Sequence, residues 1–293
     1  MNKQIGRLTL IFFLGVALAT ASFTVGIYEF GWENGAAQTF VKIVPLPAAI
    51  VNRRVILLAE IFNKLEAYEH LVAFQSGELN PPSQKDEILG KAIENKIVEE
   101  LARKRGVRVI DNELDEYEEY LWARFKISPD SAPQRIKDFF GLPRAKFIKL
   151  IVKPDLLRAK LAIAYLGEAK DTSAYKEAKL VADNLRAGLD FAEAAKFYSD
   201  DEDSKYIGGD LGFVAKQDLP PWLSSPAFSL TPSSTSEIVT SREGYEILQV
   251  VAKDDSSRPP RIQVRHILIK SQAFEKFFES ERRRARVYIF SKN

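Results

Sequence analysis

The chain has 293 residues, room for about two domains, with 46% hydrophobic and 28% charged residues, the balance of an ordinary globular protein. Lysine and arginine (42) nearly cancel aspartate and glutamate (40), and a net charge of +2 gives no concentrated basic face for nucleic acid. The absence of cysteine excludes disulfides, thiolate metal sites, cysteine nucleophiles and a lipid-modified cysteine, and two histidines are too few for a multi-histidine metal centre. No cofactor or metal is called for.

No residue from Leu8 to Tyr28 is charged, and a helix of that length spans roughly 30 Å. Lys3 and Arg7 precede it. Together they predict a single-pass anchor over residues 1–30, with the bulk of the chain extracytoplasmic at the cell membrane. A cleaved leader is the alternative, since Ala17-Leu18-Ala19 and Ala19-Thr20-Ala21 resemble processing sites. The apolar run continues through Phe23, Val25 and Ile27 into Tyr28, Phe30 and Trp32, an interfacial belt that favours retention.

A linker is read at 31–43, then a short strand at Ala48–Val51. Apolar residues at helical spacing follow from Leu57 to Gln75 and from Ser83 to Arg105, with Gly106 as a C-cap glycine. His70 falls in the first of these helices and reads as a surface or boundary residue. Asp111 is read as the N-cap of a helix that turns Leu114, Tyr117, Leu121 and Phe125 inward. The carboxylates Glu113, Asp115, Glu116, Glu118 and Glu119 spread around that helix and read as a solvated face. Helical pieces are expected at 133–140 and 144–151, and another after Pro154 up to Leu166.

The order of Ala48-Ala49-Ile50-Val51-Asn52, a helix, a helix closing in Gly106-Val107-Arg108-Val109, and the helix from Asp111 resembles the N-terminal domain of the SurA family of extracytoplasmic folding factors. At the other end Phe274, Phe277 and Phe278 lie at helical spacing, Arg282 to Arg286 close that helix, and Val287-Tyr288-Ile289-Phe290 reads as a strand. This resembles the family's returning C-terminal segment and implies that Val287–Phe290 pairs with Ala48–Val51.

Between these parts, 167–270 changes character. A helix at Ala174–Leu185 and a second N-capped by Asp190 precede the polar loop Ser199-Asp200-Asp201. Then come a glycine-rich strand Gly208–Phe213, a short helix within Leu219–Leu230, and strands at Glu237–Thr240 and Tyr245–Val251. Gly208-Gly209-Asp210-Leu211-Gly212-Phe213 and Gly244-Tyr245-Glu246-Ile247 resemble the middle and closing strands of parvulin-type peptidyl-prolyl isomerases. Their opening His-Ile-Leu-Ile strand corresponds to Val264–Lys270, which here follows the closing strand, so the domain looks circularly permuted. The rival is a domain in normal order with Leu161–Leu166 as its first strand.

The resemblance implies an α+β fold of three parts: a transmembrane helix, a helical SurA-like domain (44–166) completed by 271–293, and a parvulin-like antiparallel sheet with helices (167–270). It implies His266, Asp201, Ser241 and Glu246 at the catalytic positions. Leu211, Phe213, Leu219, Trp222 and Phe228 are implied to hold substrate. Glu246 departs from the family, which has histidine there. A Glu246–His266 ion pair would raise the histidine's pKa and put charge in an apolar pocket. The implied function is binding of unfolded, nascent or proline-containing segments of exported proteins, with weak prolyl isomerisation. A non-catalytic holdase is the alternative.

Overall fold

In a computed structural model, which describes residues 18–29, 35–76, 84–170 and 172–290, helices α1 (18–29) and α2 (Gly35–Ile43) precede a hairpin of β1 (Pro47–Val51) and β2 (Arg54–Leu57). Helices α3 (Leu58–Ser76), α4 (Lys85–Lys104), α5 (Asp111–Arg124), α6 (Ala132–Phe140) and α7 (Arg144–Phe147) follow. A π-helical turn at Ile148–Val152 joins α7 to α8 (Lys153–Glu168). Next are α9 (Ser173–Arg186), α10 (Phe191–Tyr198), β3 (Asp210–Ala215) and α11 (Pro221–Ser229). The chain then forms β4 (Ser234–Thr235), β5 (Val239–Thr240), β6 (Gly244–Asp254), β7 (Arg261–Lys270), α12 (Ala273–Arg284) and β8 (Val287–Ile289).

Two units divide these elements. One takes the chain up to Ile97, residues 138–141, and the chain from Arg284 onward; the other takes Val98–Lys137 and Leu142–Arg283. In the first, an antiparallel sheet runs β2-β1-β8. Asn52 and Arg53, both at positive φ, make the tight turn between β1 and β2. Asn52 also holds β8: its N–H donates to the Arg286 carbonyl at 3.0 Å, and its side-chain oxygen accepts from the Arg286 N–H at 2.9 Å. Val51 then pairs with Val287 and Ala49 with Ile289, the pairing expected from sequence. Ala48, Ala49 and Val51 are buried, as are Ile56, Ile61 and Phe62.

Most of the expected anchor lies outside the described residues. Among the described residues no helix is long and apolar enough to cross a membrane. Within 18–29, Ile27 is buried, Phe23 stacks on Phe40 at 5.0 Å, and the Tyr28 hydroxyl donates to the Pro47 carbonyl at 2.6 Å. Residues 35–43, read as a linker, form α2 with Ala37 and Val41 buried.

In the second unit the helical stretch read in two pieces around Pro154 is continuous. Pro154 has no N–H to complete a normal turn, and the wider π turn just before it absorbs the missing bond. The acidic face of α5 is not wholly solvated. Glu118 is buried with Arg144 at 2.6 Å, and Glu113 pairs with Lys160. Phe125, read as inward, is exposed. Helix α12 docks on α8, where Tyr165 stacks on Phe277 at 4.4 Å and Phe274 and Phe278 are buried.

The larger sheet of this unit is antiparallel, in the order β3-β7-β6-β4, with β5 also on β6. Thr172 and Asp190 cap α9 and α10 through bonds from the Tyr175 and Glu193 N–H groups. Those helices pack on one face of β6 and β7, over Ile247, Ile267 and Ile269. The other face carries Leu248, Val250, Ile262 and Val264, which form a core with Leu219, Leu223 and Ala227 of the α11 region. Leu161–Leu166 lies inside α8 and makes no strand. The central place beside β6 belongs to β7.

Candidate active site

Period-two alternation puts His266 and Leu268 on the same face of β7 as Ile262 and Val264. His266 therefore sits where the apolar α11-covered face ends. Its register partner is Leu248, and Glu246 pairs with Leu268, so Glu246 is the diagonal neighbour of His266 on that face. The His266 Nδ1 lies 3.1 Å from Glu246 Oε2.

Strand β3 covers β7 only as far as Arg265. Beyond it, backbone groups of β7 are satisfied by other means. The His266 N–H donates to the Gly209 carbonyl at 2.9 Å, and the Leu268 carbonyl accepts from Asp200 N–H at 2.7 Å. The Leu268 N–H donates to Ser199 Oγ at 3.2 Å, and the Lys270 N–H to the Asp200 carboxylate at 2.8 Å. These bonds bring Asp201 to His266, with Oδ2 3.0 Å from Nε2. Ser204 Oγ, 3.1 Å from the same nitrogen, donates to Asp201. Gly209 is required here: its φ is +75°, and a Cβ would lie 2.2 Å from the His266 carbonyl oxygen.

Each imidazole nitrogen thus faces a carboxylate, and a neutral ring can donate to only one of them. Burial pushes the His266 pKa down, but the bonds and charges of Glu246 and Asp201 outweigh it, and the net direction is up from 6.5. Burial of Asp201 raises its pKa, and the hydrogen bonds from Ser204 and His266 reverse this to a net lowering. The carboxyl groups on both sides favour the protonated ring, and with both nitrogens engaged the side chain is not free for nucleophilic or base chemistry.

Ser204, His266 and Glu246 align like a serine, histidine and acid triad. Ser204 is 2% exposed and its hydroxyl is engaged by Asp201, so substrate cannot reach it.

A cavity of about 420 Å³ opens beside this cluster. One side is formed by His266, Glu246, Leu268, Pro220, Trp222 and Leu223. Asp201 and Ser241 also reach it; Ser241 is buried, and its Oγ accepts from the Glu243 N–H at 3.3 Å. The opposite side is α5, through Tyr117, Tyr120, Leu121, Arg124 and, just past its end, Phe125. The Tyr117 ring is 6.0 Å from that of Trp222, and its hydroxyl donates to Asp155. Burial and Asp155 push that hydroxyl's pKa well up. At the rim Arg242 is 3.7 Å from Asp155.

The four residues expected at catalytic positions therefore come together, and Trp222 stands with them. Leu219 is buried in the core below α11, with Leu211 and Phe228 packed partly buried against it. Phe213 is exposed. Positive φ at Gly212 and a register shift between Asp210 and Phe213 break the alternation of β3 there. Sequence reasoning missed the α5 wall and Ser204. The wall's signal was a stripe at Tyr117, Tyr120, Leu121, Arg124 and Phe125, of which Tyr117, Leu121 and Phe125 had been read as inward. No group of residues suited to a metal occurs among the described residues.

Residues 160–252 match the family model described as Rotamase, the PPIC-type PPIASE domain, and the match stops short of β7. Foldase protein PrsA of Halalkalibacterium halodurans is 27% identical over 212 residues, covering 64% of this chain and 63% of that protein. Chaperone SurA of Pseudomonas fluorescens is 22% identical over 282 residues, covering 81% of this chain and 64% of that protein. A solved structure described as a SurA-like chaperone of Campylobacter jejuni is 15% identical at a TM-score of 0.37, covering 83% of this chain and 98% of that one. The chain spans a little under two thirds of the length of the first curated relatives it matches.

Proposed function

We propose, for a chain that carries a PPIC-type parvulin domain and has PrsA foldases and SurA chaperones as homologues, the role of an extracytoplasmic folding factor. It binds unfolded or proline-containing segments of exported polypeptides and speeds their prolyl isomerisation. Residues 167–270 act on the proline. The helical segment 44–166, completed by 271–293, holds more of the client, and the apolar run in residues 1–30 anchors the protein to the membrane.

The observation that carries this reading is the cavity between Trp222 and α5, with the His266 clamp in its wall. Rotation about a prolyl amide faces a barrier of about 18–20 kcal/mol, most of it lost conjugation in the planar amide. No bond to the protein is needed. A slot that fits the twisted amide better than the planar one, and keeps water off it, lowers the barrier; roughly 3 kcal/mol gives about a hundredfold. Trp222, Leu223, Pro220 and Leu268 supply apolar surface for the ring. His266 has both ring nitrogens engaged, so it serves as a positioning residue that ties β7 to β6 and to the 199–204 loop.

Two measurements on the full chain test this. Exchange NMR on a proline peptide should show faster cis–trans interconversion, lost in Trp222→Ala. Proline-limited refolding of an unfolded client should also accelerate. If neither rate changes and aggregation of the client is not suppressed, the reading is overturned.

A further inference from the structure

We infer that the open face of the small sheet β2-β1-β8 docks on a bilayer surface rich in anionic lipid, with its apolar side chains in the interfacial layer and Arg53 and Arg286 against lipid phosphates. This rests on the membrane anchoring proposed above for residues 1–30 and adds to it a second point of contact.

Strand register defines the face. Ile50 pairs with Val55 of β2 on one side and with Tyr288 of β8 on the other, so the three side chains form one row across the sheet. Alternation adds Leu57 on β2 and, just outside the two ends of β8, Arg286 and Phe290. The ladder carries on past both ends of β8, since Arg286 bonds to Asn52 and the Phe290 N–H donates to the Ala48 carbonyl. The opposite face holds the core, through Ala49, Val51 and Ile56. On the open face Val55 is 48% exposed and Tyr288 63%, and Leu57 and Phe290 are exposed as well. A contiguous aliphatic and aromatic face of this kind is a contact surface.

Charge and chain connection decide what covers it. From Pro45 to Leu58 and from Arg284 to Phe290 the sequence has four arginines and no acidic residue. Arg53 is exposed in the turn between β1 and β2, and Arg286 is exposed just before β8. A second copy pairing through β8 would double that positive charge, with no carboxylate from either sheet to offset it. Anionic headgroups match it: each arginine beside them strengthens binding about fivefold, while tyrosine and phenylalanine suit the interfacial layer. The uncharged run from Leu8 to Tyr28 points the same way. Its last turns lie against this same unit. Phe23 stacks on Phe40 at 5.0 Å, and the Tyr28 hydroxyl donates to the carbonyl of Pro47, the first residue of β1, at 2.6 Å. With that run in the bilayer, the sheet is held beside the lipid, and a contact too weak to bind a free protein is enough.

The chain has no cysteine, so single positions can be labelled without background. The full chain is prepared with Tyr288→Cys, Val55→Cys or, in the other unit, Phe197→Cys, each carrying an environment-sensitive fluorophore. It is placed in nanodiscs of phosphatidylcholine alone, or of phosphatidylcholine and phosphatidylglycerol in equal parts. The expected result is emission at 288 and 55 at least about twofold brighter and shifted to the blue in the anionic nanodiscs, with 197 unchanged. Arg53→Gln combined with Arg286→Gln should weaken docking by about twentyfold and return both labels to their phosphatidylcholine values, and high salt should do the same. All these side chains are exposed, so the variants keep the fold, which a thermal melt verifies. A chain that stays with the nanodiscs in high salt while both labels keep their aqueous emission upholds the anchor and overturns the docking surface. Labels that respond to anionic lipid at low salt, on a chain that high salt strips from the nanodiscs, support docking and overturn the anchor. An equal response in both lipids, or one that survives the arginine variants, overturns the anionic-lipid assignment. A response in detergent alone that grows with protein concentration gives the face to a second copy and overturns the inference.

Discussion

Glu246 and His266 meet diagonally across β6 and β7 at 3.1 Å, one register step from the Leu248–His266 pair. With Asp201 at 3.0 Å on the other ring nitrogen, the imidazole lies between two carboxyl groups.

The pH dependence has a definite sign. His266 is raised above 6.5 in the folded chain, so its contribution to stability is fully present below the unfolded value and is lost as pH rises through the folded one. Asp201 is lowered, so its contribution is present above its unfolded value near 3.8 and is lost as pH falls through the folded one. Denaturant unfolding followed between about pH 5 and 9 should show stability falling on the alkaline side. In Glu246→Gln the His266 pKa should drop, read from its imidazole NMR signals, with a stability loss of about 1–3 kcal/mol at neutral pH. A His266 that titrates at or below 6.5 in the parent chain contradicts the clamp.

Glu246→His exchanges a carboxylate for the imidazole that the parvulin resemblance implies at this position. It removes one of the two carboxyl groups that favour the protonated His266 ring and leaves Asp201 on the other nitrogen. The expected outcome is a rise in kcat/KM for proline isomerisation of on the order of tenfold, about 1.4 kcal/mol of barrier. Unchanged or lower kcat/KM in a folded variant shows that Glu246 is not what limits the site.

Gly209→Ala should be among the most damaging single changes in the isomerase unit. The backbone is left-handed there, and the added methyl would collide with the His266 carbonyl. A loss on the order of 3 kcal/mol is expected, as a fall in melting temperature together with displaced His266 signals. A variant as stable as the parent would mean that β7 can shift away at little cost.

Removing residues 285–293 should destabilise the unit that contains β1. The side chains of β8 are exposed, so the loss comes mainly from backbone bonds such as Phe290 N–H to Ala48 carbonyl at 3.0 Å. Roughly 1–3 kcal/mol is expected in a thermal or denaturant melt. A truncated chain with an unchanged melt rules out a structural role for β8.

What the sequence made legible follows the range of the interactions. Asp190 as a helix cap is local chemistry and could be read directly. The β1–β8 pairing and the central place of β7 came from strand patterns and a family likeness together. Glu246 drew notice because a carboxylate replaces an expected imidazole, and the ion pair follows from that single difference. Tyr120 and Phe125 carried the same periodicity as core residues, and only tertiary placement separates a stripe that packs from a stripe that lines a cavity. Phe213 stands away from the cavity because Gly212, at positive φ beside it, upsets an alternation that a sequence reader assumes. Glu118 looked like any other solvated carboxylate until Arg144 arrived from 26 residues away to cover it.

The position of β7 also sets an order of events in time. During synthesis β3 and β6 emerge first, and neither can bond to the other, because the strand that lies between them is still to come. Until residues 261–270 follow, both present open edges, and the loop of Asp201 has no imidazole to close on. Such long-range closure is slow and cooperative. A chain built this way gains its cavity only after passing through an exposed, unpaired condition of its own.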